Sequence, residues 1–179
     1  IQLAKGKYIW IAESDDYADL DFLKETVNIA EQDDAIGLVF TDSHIINESS
    51  TILSKSSSSN SALFNFNNVD YYKFEDRNMV LKYFVSNLII WNASSVLFRK
   101  STITEVDFNV LSTLKNAGDL FTYISIALKY DIVYVNQPLN YFRRHDGNTT
   151  KKYAMSGMLF SDRQTIITYF IKDLQGLQG

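Results

Sequence analysis

Tyr8-Ile9-Trp10-Ile11-Ala12, followed at once by Glu13-Ser14-Asp15-Asp16, is the stretch on which the fold turns. The first five residues are β-branched, aromatic or small, with no polar alternation. A run covered on both faces has this pattern, and it suits a central strand of a largely parallel sheet. The run stops abruptly in acids, with Asp19 and Asp21 close behind. Leu20, Leu23, Val27 and Ala30 then fall at helical spacing, with Asp19 or Asp21 available as N-cap. Ile36-Gly37-Leu38-Val39-Phe40-Thr41 reads as a second buried strand, again ending in an acid, Asp42. Strand, acidic turn, helix and strand make a βαβ unit, and the fold class expected from it is α/β.

Outward from this unit, the composition changes between Asn47 and Ser61, where eight of fifteen residues are serine. That stretch reads as a polar excursion or an ordered lid, not a linker between domains. Leu63 to Phe66 and Val69 to Phe74 are aromatic-rich and carry no clear period. Arg77 to Ile90 has helical periodicity, and Ala93 to Phe98 reads as a strand closed by Arg99-Lys100. Ile103 to Leu111 is ambiguous. Asp119 to Tyr130 is an amphipathic helix with Phe121, Ile124 and Leu128 on one side. Ile132 to Val135 is a short strand, after which Gln137-Pro138 turns the chain. A helical tail is expected over about 155–175. All 179 residues are assigned to one domain.

The bulk numbers narrow the function by exclusion. Seventeen Lys and Arg against twenty-one Asp and Glu leave a net charge of −4, which argues against a nucleic-acid footprint. The absence of cysteine excludes disulfides, cysteine zinc sites and thiol catalysis. The longest apolar runs, Tyr8 to Ala12 and Leu88 to Trp91, are too short to cross a bilayer. One proline and seven glycines favour long regular elements. Neither a G-x-x-x-x-G-K-[ST] loop, a G-x-G-x-x-G turn nor a G-x-S-x-G elbow occurs, which removes most kinase, dehydrogenase and hydrolase readings.

Glu13-Ser14-Asp15-Asp16 is the sharpest chemical feature. Acids just past the carboxyl end of a buried strand sit where open α/β sheets bind ligands, and they can hold Mg²⁺ or Mn²⁺ against a diphosphate. The plainer alternative is that they cap the helix that follows. Arg143-Arg144-His145 can face an anionic leaving group or contribute a metal ligand, or can form an exposed basic turn. Asp119 behind Gly118 reads by itself as an N-cap, and His44 as a structural histidine.

Three segments, taken in order, resemble one family. Ala4 to Asp16 (AKGKYIWIAESDD) resembles the A-x-G-x-Y-I-x-x-x-D-x-D-D segment of family 2 glycosyltransferases, inverting enzymes with the GT-A fold. Ala117-Gly118-Asp119-Leu120, heading a helix, resembles the later acidic segment that supplies the base. Tyr134 to Asn148, with Pro138-Leu139, Tyr141 and Arg143-Arg144-His145, resembles the closing P-L-x-x-Y-R-x-H-x-x-N segment. The resemblance covers about Leu3 to Thr150 and implies a GT-A-like (Rossmann-like), mostly parallel sheet flanked by helices. Under it, Asp15 and His145 would hold Mn²⁺ or Mg²⁺ on the donor diphosphate, and Asp119 would be the general base. Glu13, standing where the family usually has Asp, would contact donor or metal together with Asp16, Arg143 and Arg144.

The function so implied is transfer of a sugar, with inversion, from a nucleotide-diphosphate sugar to a glycan or lipid-linked acceptor. Bacterial relatives of this kind build surface polysaccharides, in the cytoplasm or at the inner face of the membrane. The family's nucleotide-binding half precedes the acidic strand, and Ile1 to Lys5 read as a helix end where it would join. The chain is therefore expected to be the metal- and acceptor-side part of a longer enzyme, with little activity alone and self-association through an exposed sheet edge. A non-catalytic glycosyltransferase-like binding module is the competing expectation. A magnesium phosphatase ranks below both, because the strand ends in Glu13 where a nucleophilic Asp is needed.

Overall fold

The computed structural model describes residues 1–60, 69–76, 83–84, 89–145 and 158–176. The strands are β1 (Tyr8–Trp10), β2 (Tyr17–Ala18), β3 (Ile36–Ile46), β4 (Ile52–Lys55), β5 (Tyr71–Phe74), β6 (Val96–Arg99) and β7 (Asp131–Arg143). The helices are α1 (Phe22–Ala30), two short ones, α2 (Lys100–Ile103) and α3 (Phe108–Leu111), then α4 (Gly118–Ala127) and α5 (Met158–Gly176).

The strands form one sheet in the order β1-β6-β3-β7-β2, with β4 added to β3 and β5 to β7. Among the described strands only β3 and β7 pair in parallel; every other pair is antiparallel. The sheet is therefore mixed and curls into a half-barrel with few helices. This corrects the GT-A-like, Rossmann-like expectation of a mostly parallel sheet flanked by helices. The physical reason lies in β6, whose four residues are all buried between β1 and β3 and run against both. A short strand covered on both faces carries no polar alternation, so its sequence does not reveal its direction. β1 and β3 do run the same way, as a βαβ unit requires, but β6 lies between them.

Alternation along the two central strands divides the core. Leu38 and Phe40 of β3, with Ile132 and Tyr134 of β7, face a cluster completed by Phe98, Phe121, Tyr123, Ile124, Ile166 and Phe170. Val39, Val133, Val135 and Leu139 face the other way, onto Phe22, Ile29 and Ala30 of α1. A register shift at Gly37 puts Ile36 on the same side as Val39. Gly37 also lets the end of α4 and the turn after it pack tightly on the sheet: a Cβ there would lie 2.6 Å from Tyr130 Cβ and 2.7 Å from Ile126 Cγ2.

Local departures from expectation have local causes. The buried face of α1 is Phe22, Thr26, Ile29 and Ala30; of the expected stripe only Ala30 is buried, Val27 is half-buried, and Leu20 and Leu23 are exposed. Phe22 sets the rotation by packing its ring 5.2 Å from that of Trp10. Residues 1–7 form turns instead of a helix end. β7 continues straight through Pro138, because Asn136 and Gln137 are taken up as a bulge between Val135↔Thr41 and Pro138↔Asp42. The proposed helix over 77–90 falls almost wholly outside the described residues, as do 63–66 and the first residues of the tail.

The serine-rich excursion, described as far as Asn60, packs against β3. β4 folds back along β3, and a 3-10 turn at Ser56–Asn60 follows. The Asp42 carboxylate explains why. It is buried at the bulge and accepts from Ser43 N (2.8 Å), Ser56 Oγ (2.6 Å), Ser57 N (3.0 Å) and Ser57 Oγ (2.7 Å). A buried carboxylate is tolerable only with such a set of donors, and the serines supply it.

Candidate functional site

The acidic loop sits where it does because β1 and β2 are at opposite ends of the sheet order. Residues 11–16 must cross over one end of the sheet to get from one to the other. They pass beside the 3-10 turn Ala93–Ser95 that leads into β6 and beside the end of β7. The crossing is tied down at several points. Trp10 Nε1 donates to Ser94 O (2.8 Å) and Glu13 N to Ser94 Oγ (2.9 Å). Asp16 accepts from Asn92 Nδ2 at 2.7 Å on one carboxylate oxygen and from Arg143 N at 2.9 Å on the other.

A buried polar chain continues beneath it. Asn140 Nδ2 donates to Ser43 Oγ (3.1 Å), Ser43 Oγ to Asn92 Oδ1 (3.4 Å), and Asn92 in turn to Asp16. Asn140, Ser43 and Asn92 are all buried, so this chain is a fixed support and not a hydrated surface network.

Above this support the chemistry-bearing side chains converge. His145, at the end of the segment following β7, places Nε2 3.2 Å from Asp15 Oδ2, across 130 positions of sequence. Asp119 stands in the first turn of α4, with Leu120 N donating to its Oδ1 at 2.7 Å. The residue is exposed to solvent, while the atoms packed around its carboxyl partly desolvate it and raise its pKa. Glu13 is pushed upward as well. Loss of water around it is the first cause, followed by the charges of Asp16, Asp15 and Asp119, against a lowering hydrogen bond from the Ala93 backbone. Glu13 therefore feels carboxylates of its own loop and of the first turn of α4 together, from distant parts of the chain. Tyr123, one helical turn beyond Asp119, is fully buried, and its hydroxyl has no hydrogen-bond partner. Desolvation raises its pKa well above the usual phenol range, with Asp119 and Glu13 adding to the shift.

Two of the residues expected on substrate are otherwise engaged. Both oxygens of Asp16 are occupied by the loop ties. Arg143 donates through Nε to Asp15 O (2.9 Å), through Nη1 to Asn47 O (2.8 Å) and Glu48 O (3.1 Å), and through Nη2 to Ser50 Oγ (3.1 Å). It clamps the acidic loop to the β3–β4 turn. Arg144 is exposed and lies over the Trp91 ring, 5.1 Å from its centre, a cation–π contact. The sequence reading did not single out Asn92, Ser94, Asn140 or Asp162 as part of the site's support. Buried polar residues beside strands were the available signal, but their partners are set by topology alone.

Among the described residues no group of three or more His, Asp or Glu side chains converges as a ready metal cage. Asp15 and His145 touch directly, as a hydrogen-bonded pair. Two donor atoms on adjacent corners of an octahedral ion lie about 3 Å apart, close to their separation here. A mixed carboxylate–imidazole pair suits Mn²⁺ better than Mg²⁺, which prefers oxygen alone. No described helix is long and apolar enough to cross a membrane. Comparison with protein-family models returns no match, and comparison with curated proteins returns none either.

Proposed function

We propose that the chain carries the metal- and acceptor-side machinery of an inverting sugar transferase that uses a nucleotide-diphosphate sugar. The observation that carries this reading is the contact of His145 with Asp15, in the same loop as Glu13, whose carboxyl in turn feels the charge of Asp119. Asp15 and His145 would hold a divalent cation, Mn²⁺ in preference to Mg²⁺. When bound, that cation would supply charge neutralisation for a departing diphosphate. Arg144, exposed and next to His145, would meet the anionic part of a donor.

Asp119 is the proton acceptor. It is exposed to an incoming ligand in the first turn of α4, and its raised pKa makes it a stronger base than an ordinary aspartate, at the cost of protonating earlier as pH falls. Inversion needs the acceptor hydroxyl to attack from the side opposite the leaving diphosphate. Asp119 would remove that hydroxyl's proton, while Glu13 adds negative potential that favours a cation. The acceptor class is a glycan or a lipid-linked sugar, and the setting is surface polysaccharide synthesis in the cytoplasm or at the inner face of its membrane. β1, at the end of the sheet order, is the edge through which copies would associate.

The test is turnover of a panel of nucleotide sugars by the longest natural chain carrying this sequence, with and without Mn²⁺. Metal-dependent release of nucleoside diphosphate, abolished by Asp119→Asn, supports the reading. Turnover that persists at the wild-type rate in that variant overturns it. The commitment of Asp16 and Arg143 to internal ties favours one second reading, a non-catalytic glycan-binding module. That reading predicts saturable glycan binding with no metal-dependent turnover of any donor.

A further inference from the structure

The C-terminal helix reaches the site through one side chain. Asp162 of α5 is only 6% exposed, and its Oδ2 accepts three consecutive backbone N–H groups: Lys115 at 2.9 Å, Asn116 at 2.7 Å and Ala117 at 3.1 Å. These are the last donors before α4, whose N-cap is Ala117 and whose second residue is Asp119. A single buried oxygen holding three successive amides fixes the path of the chain into the helix as few other contacts could.

The rest of α5 is fastened to the same region. Ile166 and Phe170 are buried in the core, and the Phe121 ring packs 5.3 Å from Phe170 and 5.2 Å from Tyr169. Tyr169 Oη makes a long 3.4 Å contact to Asp107 Oδ2, and Asp107 caps α3 at the start of the same connection. Gly118 leaves no slack, since even a Cβ there would meet Leu111 Cδ1 at 3.1 Å.

We propose that Asp162 is a positioning residue for Asp119, and that α5 is thereby a working part of the site. The inference rests on the reading of Asp119 as the proton acceptor. Asp162 touches no reacting atom. It holds the 115–117 turn that leads directly into the first turn of α4 and so fixes where Asp119 stands, and a displacement of about 1 Å at such a group costs on the order of a hundredfold in rate.

The experiment compares Asp162→Ala, Asp162→Asn and Asp119→Asn in the longest natural chain, reading kcat, KM for the donor and amide hydrogen exchange at residues 115–117. Asp162→Ala is expected to lower kcat about a hundredfold with donor KM within about twofold, and to speed exchange at the three amides. Asp162→Asn keeps one acceptor oxygen in place, and is expected to recover about tenfold of the loss and to slow the exchange again. Wild-type kcat in Asp162→Ala despite accelerated exchange, with Asp119→Asn inactive, overturns the positioning role alone. Equal kcat losses in the Ala and Asn variants also overturn it. Wild-type turnover in Asp119→Asn removes the reading of Asp119 and the proposal with it.

Discussion

Asp16 offers the sharpest separation between a ligand contact and a structural tie. Replacing it by alanine strands Asn92 Nδ2, which belongs to a buried side chain, and Arg143 N, which is only partly buried. A hydrogen bond to a charged acceptor contributes about 1.5–3 kcal/mol, and the full value applies where water cannot replace it. The Asn92 bond is therefore assigned about 2 kcal/mol and the Arg143 bond about 1 kcal/mol, because water can reach the latter. Their sum, about 3 kcal/mol, at a urea slope of about 2 kcal/mol per molar, lowers the unfolding midpoint of Asp16→Ala by about 1.5 M. Asp16→Asn keeps one acceptor and should lose about half as much. In a double-mutant cycle with Asn92→Ala, the coupling should be about 1–2 kcal/mol. An Asp16→Ala protein with an unchanged midpoint and no coupling to Asn92, but with lost nucleotide-sugar affinity, would refute the structural assignment.

Gly37→Ala drives a Cβ into Tyr130 Cβ and Ile126 Cγ2, so the last turn of α4 must move; we expect a loss of about 2–3 kcal/mol in thermal or urea unfolding, and an unchanged melting temperature contradicts it. Asp119→Asn should stabilise the fold while stopping turnover. The folded-state pKa of Asp119 is raised, so its charge opposes folding above that pKa and the penalty vanishes as pH falls below the unfolded value; the stability gain should therefore be present at pH 7 and shrink toward pH 3 in urea titrations. For the same reason the acid limb of the wild-type pH–rate profile should lie above that of an ordinary aspartate. Ser56→Ala with Ser57→Ala removes both hydroxyl donors from the buried Asp42 and should cost about 2–4 kcal/mol by calorimetry, whereas a neutral double variant would show that the excursion is not held by Asp42.

The local elements were largely legible because they are written in local periodicity. The strand at Ile36 and the helix opening at Asp119 lie where apolar spacing puts them, whereas the run at Tyr8, expected as a central strand, is a strand only over Tyr8–Trp10 and stands at the end of the sheet order. Strand direction was not legible. Val96 to Arg99 is too short, and buried on too many sides, to announce that it returns antiparallel between β1 and β3. The pairing of Asp15 with His145 was expected only through motif order, since the loop crossing that brings them together depends on the sheet order. The ties were hidden for a related reason. Asp42, Asp16 and Asp162 look alike in sequence to solvated acids, and only the donors that the fold delivers to them, from Ser56, Asn92 and Lys115, set them apart. The same holds for Arg143, which is adjacent to Arg144 and shares its chemistry but is spent on holding the β3–β4 turn.

The central claim is that Asp15 and His145 are two ligands of one diphosphate-bound cation, and a Mn²⁺ titration of wild type, Asp15→Ala and His145→Ala addresses it most directly. Performed with and without a panel of nucleoside diphosphates, it should show saturable wild-type binding that tightens when the right nucleotide is present, and the nucleotide should tighten reciprocally with Mn²⁺. Each variant should weaken the metal about tenfold or more. Equal Mn²⁺ affinity in all three proteins, or binding that no nucleoside diphosphate alters, would contradict the claim.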